Sequence, residues 1–315
     1  MKLLRLVDRY IRHRRSLGER CQTNARILHA FCRGLRAGID IRKVGVRQTT
    51  QFLYGKGPVT SAWHIKYNAL KGFFRYVISR DYGVKTPLPD VIPQRPPSFV
   101  PYIYSREELR RLLQATKNYQ RNCSCMEPET IRVIVLLLYA TALRIREAVA
   151  LNRGDLDLDQ SLLTVVKSKF FKSRLVPFSP RLGQVLLAYL SRPTGPGSNI
   201  GKDAPVFTTR RGSRVNQYTV EAAFRRVCQE AGIRRDDSAR YQPRLHDLRH
   251  TSAVHRVTAW YRRNKDVQRL LPQLSVYLGH VHLAATQVYL TMTPELLSEA
   301  NQRFERYAEK KSKRS

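Results

Sequence analysis

Along most of this chain apolar residues return every three to four positions with basic residues between them, the period of amphipathic helices. Before residue 85 the pattern predicts three or four helices, at about 2–16, 22–37, 46–54 and 60–80. In the last, Trp63, Tyr67, Leu70, Phe74 and Val77 share one face, and Lys66, Lys71, Arg75 and Arg80 mark a wetter flank. The period stops in TPLPDVIPQRPPSFVP (86–101), which holds six of the chain's sixteen prolines. Such density removes amide donors and favours an extended path, so residues 86–103 read as a linker between a helical domain (1–85) and a second domain (104–315).

In the second domain the period resumes. Ser105 and Glu108 form a capping box ahead of a helix over 106–116, and Ile131, Ile134, Val135 and Leu138 define another over about 128–140. LLTVV (162–166) and RLVPF (174–178) read as two strands joined by a basic hairpin tip, KSKFFKS. Helical faces follow, one carrying Leu182, Val185, Leu186 and Tyr189, the next Val220, Ala223, Phe224, Val227 and Ala231, with Gly232 placed to end it. The expected fold is mostly α with a small antiparallel β-sheet, in two domains. The chain's 315 residues, 42% of them hydrophobic, suffice for two separate cores.

Charge narrows the partner. Against 24 acidic residues stand 57 Lys and Arg, a formal +33, and a polyanion must offset that self-repulsion. Nucleic acid is the natural candidate, although RNA-packaging proteins and proteins on anionic lipid can be as basic. No apolar run reaches the roughly 18 residues of a membrane span, and the opening MKLLRLVDRYIRHRR is charged where a signal sequence is apolar, so a cytoplasmic, nucleoid-associated location is expected. Cys21, Cys32, Cys123, Cys125 and Cys228 are scattered without CxxC spacing, which argues against a disulfide framework and a zinc site.

Phosphodiester transfer needs a nucleophile, cationic donors for the non-bridging oxygens and an acid for the leaving hydroxyl. The second domain carries all three kinds. Arg144 follows the apolar helix directly, with Glu147 three residues on; HDLRHTSA (246–253) sets His246 and Arg249 three apart on one helix face; and YLGHVHLAATQVYL (277–290) puts His280 nine residues before Tyr289. Taken singly each has an ordinary reading. An arginine at a helix junction usually caps or pairs, histidines near a helix start are often structural, and a tyrosine at helical spacing is usually core.

Taken in order, the arginine after an apolar helix, the basic strand turn, HxLR, LGH and the tyrosine nine residues later resemble the tyrosine recombinase family of phage integrases and Xer recombinases. The resemblance spans the chain, but only the second domain carries specific motifs. It implies a helical core-binding domain at 1–85 and a catalytic domain at 104–315 with a C-terminal docking segment. Residue by residue, it implies that Arg144, His246, Arg249 and His280 surround the phosphate, that Tyr289 is the nucleophile, and that Lys169 in SKFFKSRLVP (168–177) is the general acid, with Lys172 and Lys167 as alternatives. Glu147 and Asp155 fit acidic positions expected to make orienting contacts, and His250 and His282 flank the key histidines as structural residues.

The implied reaction cleaves and rejoins DNA through a 3′ phosphotyrosine and a Holliday junction. It needs neither ATP nor metal, so no cofactor is expected. The implied partners are double-stranded DNA bearing a specific site, three further copies of the chain in a tetramer on two duplexes, and accessory or partner recombinases. Two departures stand out. TALR replaces the commoner TGLR, putting Ala142 where a glycine is usual, and WYRRNKDVQRLLPQ (260–273) lengthens the stretch before LGH, in a phrasing that looks more like mobile-element recombinases. Other readings are a catalytically silent DNA-binding protein on the same fold and a basic RNA-binding protein, which explains the charge but not the ordered motifs. In the final segment Leu297, Ala300, Phe304 and Tyr307 recur at helical intervals, suited to docking on a neighbouring copy or packing on their own domain.

Overall fold

Leu3, Leu6, Val7, Tyr10 and Ile11 recur with the helical period, and in the computed structural model of the chain they form the buried face of α1 (Leu3–Ser16). The described residues are 1–55, 57–82, 85–96, 100–118, 125–166, 173–192, 201–237, 241–280, 282–291, 296–302 and 304–305. They fall into two compact units, Met1–Phe99 and Val100–Ser315.

In the first unit, α1 packs with α2 (Gln22–Arg33), α3 (Val46–Tyr54) and α4 (Ser61–Ser79) around Leu6, Leu28, Phe31, Leu70, Phe73 and Phe74. Helix α2 stops four residues short of the expected 37, because Gly34 caps it and Gly38 takes φ +73°, a conformation glycine adopts without strain. Lys66, read as part of a wet flank, is turned inward. Its ammonium donates to the Phe52 carbonyl at 3.0 Å and sits 4.9 Å from the Phe52 ring centre.

Both ends of the proline-rich stretch are tied down. Leu88 joins the first core and the Thr49 hydroxyl donates to the Pro87 carbonyl. In the second unit Arg235 donates to the Val100 carbonyl at 2.8 Å, and Tyr104 is fully buried.

The second unit runs α5 (Arg106–Lys117), α6 (Pro128–Thr141), α7 (Ile145–Ala150), β1 (Leu156–Asp157), β2 (Leu162–Val165), β3 (Arg174–Pro177), α8 (Pro180–Leu190), α9 (Gln217–Glu230), α10 (Asp247–Arg262), α11 (Val267–Leu278) and α12 (Ala284–Gln287). The mostly helical fold with a small antiparallel sheet is as expected. The sheet has order β1-β2-β3, Leu163 facing Val176 and Val165 facing Arg174, and its two-residue first strand was too short to be read from alternation. Helix α6 is apolar on nearly every side because α5, α8 and α10 all pack against it. The described cysteines, Cys21, Cys32, Cys125 and Cys228, are free thiols. No helix among the described residues is long and apolar enough to cross a membrane.

Candidate active site

The site is assembled where four helices end or begin. Helix α6 terminates in Ala142, which takes the left-handed conformation (φ 52°, ψ 27°) that turns the chain toward Arg144. Alanine fits there with strain that glycine would not have, so the TALR departure keeps the turn while changing its cost. Arg144 caps α7, where the Glu147 carboxylate receives its amide at 3.0 Å and its Nη1 at 2.9 Å. The other guanidinium nitrogen of Arg144, Nη2, donates to the Gly279 carbonyl at 3.2 Å.

Helix α10 is started by Asp247, fully buried, which accepts from the Arg244 amide at 2.9 Å and the Arg244 guanidinium at 3.0 Å. His246 sits at the helix cap and stays exposed, although protein atoms crowd its ring. Arg249 lies nearly a turn further in, 2% exposed, and donates to the carbonyls of Ala142 and Leu278, both at 2.5 Å. Those carbonyls end α6 and α11, where helix carbonyls lack partners and carry partial negative charge, so one guanidinium joins two helix C-termini.

Tyr289 is 2% exposed, in the turn that follows α12. Its ring stacks on His280 (centroids 6.2 Å apart, 21° between planes) and lies 5.6 Å from His250, which is 5.0 Å from His246. The His280 Nδ1 pairs with the Thr286 hydroxyl at 2.8 Å. Arg144, His246, Arg249, His280 and Tyr289, drawn from segments up to 145 residues apart, are thus linked by direct contacts or one intervening residue. Lys169, with Lys167 and Lys172, lies outside the described residues; the pairing of β2 with β3 sets Arg174 opposite Val165, and Arg174 reaches Glu147.

Electrostatics follow from burial among cations. Burial lowers the pKa of His246, His250 and His280 to about 4 each, helped by His250, Arg249 and Arg244 at His246 and by Arg249 at the other two, so all three rings are neutral at neutral pH. For His246 the exposed edge weakens the burial part, and the cationic neighbours carry the direction. Burial also lowers Arg249 to about 10, with Arg144 adding to it, and leaves it charged. Burial raises the Tyr289 phenol, while Arg249 and Arg144 pull it back. Glu147 is pushed up by burial, but hydrogen bonds from Arg174 and the Arg144 amide outweigh this and hold it at about 2.

Two expectations change in detail. Asp155 is a local cap, accepting from the Asn152 amide at 2.8 Å. His250, read as a flanking structural residue, stands between His246 and Tyr289. Arg174 was not singled out, because its motif drew attention to lysines; an arginine in a short strand beside a site carboxylate was the available signal. Among the described residues no group of three or more His, Cys, Asp or Glu is placed to hold a metal ion.

Residues 104–295 match the phage integrase family. A putative integrase/recombinase y4rB of Sinorhizobium fredii (strain NBRC 101917 / NGR234) is 35% identical over 303 residues, covering 95% of this chain and 96% of that protein. Tyrosine recombinase XerA of Thermococcus kodakarensis is 28% identical, covering 86% and 85%. Among solved structures, the Tn1549 transposon integrase in complex with a circular intermediate DNA shares the fold with a TM-score of 0.71 at 18% identity, over 97% of this chain and 99% of that one. A lambda integrase tetramer bound to a Holliday junction does so with a TM-score of 0.66 at 16% identity, over 92% and 77%. This chain belongs to the phage integrase family, the tyrosine recombinases.

Proposed function

We propose that the chain is a site-specific DNA recombinase that cleaves and rejoins strands through Tyr289. The observation that carries this reading is the placing of Tyr289, with its ring stacked on His280 and 5.6 Å from His250, beside the turn whose Gly279 carbonyl holds Arg144 and whose Leu278 carbonyl holds Arg249. A phosphate entering the site is met by the cations of Arg249 and Arg144, which neutralise its non-bridging oxygens. The Tyr289 phenol attacks phosphorus and its proton passes to His246, which is neutral and able to accept it. The bond to the 5′ oxygen breaks as Lys169 protonates that oxygen, and the 3′ end stays on Tyr289. Attack by another 5′ hydroxyl reverses these steps, so bond energy is conserved and no nucleotide is consumed.

The first unit, with its basic helices, serves as the core-binding domain, and the proline-rich stretch as its tether to the catalytic unit. The DNA complexes of its structural relatives and the +33 charge support a duplex partner. The lambda integrase tetramer supports assembly of four copies on two duplexes through a Holliday junction. In the C-terminal segment Leu296 is buried in its own unit while Leu297 and Phe304 are exposed, the latter to 68%, leaving an apolar face for a neighbouring copy.

The test uses a nicked duplex carrying the recombination site recovered from junctions flanking its own gene, so that the short cleaved end diffuses away. Wild type should become covalently attached to DNA without metal or ATP, and Tyr289→Phe should bind equally and form no adduct. An adduct from the Phe variant overturns the nucleophile assignment, and no adduct from wild type on a proven site favours a silent DNA-binding protein.

A further inference from the structure

The Glu147 side chain is 10% exposed, and its carboxylate accepts four hydrogen bonds. Oε1 takes Nη1 of Arg144 (2.9 Å) and Nη1 of Arg174 (3.0 Å); Oε2 takes Nη2 of Arg174 (2.8 Å) and the amide of Arg144 (3.0 Å). The two arginines share it unequally. Arg174 holds it with a two-pronged fork and is itself 12% exposed, whereas Arg144 spends one guanidinium bond on it and is 32% exposed. Both Nη atoms of each arginine meet protein acceptors, so the difference lies in exposure, and Arg144 keeps the open side.

Arg174 also backs the turn that carries His280. Gly279 has φ +66°, and a β-carbon there would lie 2.9 Å from the Arg174 guanidinium, so the turn and the guanidinium are in close contact. The Gly279 carbonyl is the other acceptor for Arg144. Arg174 thus touches both supports of the Arg144 guanidinium, Glu147 and the Gly279 turn, from the start of β3.

We propose that Arg174 is a positioning residue of the cleavage reaction, acting through Glu147 and Gly279 to keep the Arg144 guanidinium turned toward the scissile phosphate. This rests on the reading of Arg144 as a phosphate-binding residue. Without the Arg174 fork, two carboxylate sites on Glu147 lose their donors, and Arg144, the remaining cation in contact, is drawn into a two-pronged pair with it and away from the cleft. Lysine at 174 keeps the charge but has one nitrogen for two acceptor oxygens, so it cannot replace the fork.

The experiment compares single-turnover cleavage of the nicked duplex with a normal scissile phosphate or with a methylphosphonate. Methylphosphonate replaces one charged non-bridging oxygen by a methyl group and so needs less guanidinium neutralisation. Arg144→Ala should be slowed about 100-fold or more on phosphate and much less on methylphosphonate. Arg174→Lys should be slowed about 10-fold or more on phosphate at unchanged DNA affinity, with the same relief on methylphosphonate. Combining it with Arg144→Ala should add no further loss. Glu147→Gln cuts the same link with an isosteric side chain and carries the same expectation if Arg174→Lys does not fold.

A defect in Arg174→Lys or Glu147→Gln that is equal on both substrates, or additive to Arg144→Ala, overturns the inference while Arg144 stands. Arg144→Ala cleaving phosphate at the wild-type rate overturns the reading of Arg144 and the inference with it.

Discussion

Replacing Arg249 with lysine separates the structural role its contacts show from the phosphate-binding role proposed for it. Arg249 donates to two buried carbonyls at the ends of α6 and α11, and lysine has a single nitrogen for acceptors on different helices. One charged hydrogen bond is lost and one buried carbonyl is left unpaired, a cost of about 3 kcal/mol. For a unit of this size each kcal/mol moves Tm by about 2–4 °C, so the catalytic unit should melt about 6–12 °C lower. Cleavage is then measured well below the variant's melting temperature, where folding is complete. There the rate should still fall by at least about 100-fold if, as proposed, the same guanidinium meets the phosphate. Melting followed by circular dichroism and adduct formation on the nicked duplex give the two numbers. Unchanged melting would refute the joining of the helix ends, and a near-normal rate in the folded variant would refute the phosphate contact.

Ala142→Gly should change stability by no more than about 1 kcal/mol in urea unfolding, since relief of left-handed strain offsets glycine's greater chain entropy. Ala142→Val should cost over about 2 kcal/mol, because a β-branched residue fits φ 52° poorly, and a tolerated valine would contradict that turn. Acidification should destabilise the catalytic unit in two windows. His250 and His280 have folded values near 4, below the ordinary 6.5, so the stability they contribute is present above 6.5 and lost toward 4; Glu147, at about 2 against 4.5, loses its share from 4.5 downward. Equal urea midpoints at pH 7.5 and 5 would contradict the histidine part. Deleting residues 295–315 removes Leu296, fully buried beside Val257 and Leu271, and breaks the Arg262–Glu299 pair (2.8 Å), so folding stability should drop by about 2–5 kcal/mol, whereas deleting 306–315 should leave it unchanged. Equal stability of the two truncations would exclude packing of the segment on its own unit.

Much of the architecture was legible because it rests on local rules. The helical period located α1 to α6, α8 and α9 but not α11, the Ser105 and Glu108 pair marked the start of α5, and alternation placed β2 and β3 within a residue. The order and spacing of Arg144, HxLR, LGH and Tyr289 named the candidate site residues and the family. What the sequence could not supply were facts about pairs distant along the chain. Leu297, Ala300 and Phe304 share a helical period, yet the buried anchor is their neighbour Leu296, since its own unit decides which face is covered. Lys66 looks solvated in one dimension and lies over Phe52 in three. Arg174 became visible only once β3 was laid beside α7, and Arg249 proved to join two helix ends because α6 and α11 finish within reach of one guanidinium. Periodicity and spacing are properties of neighbours along the chain, so the sequence alone determined the elements and the candidate residues. Burial, pairing and pKa depend on what the fold brings alongside, and only the tertiary structure decided them.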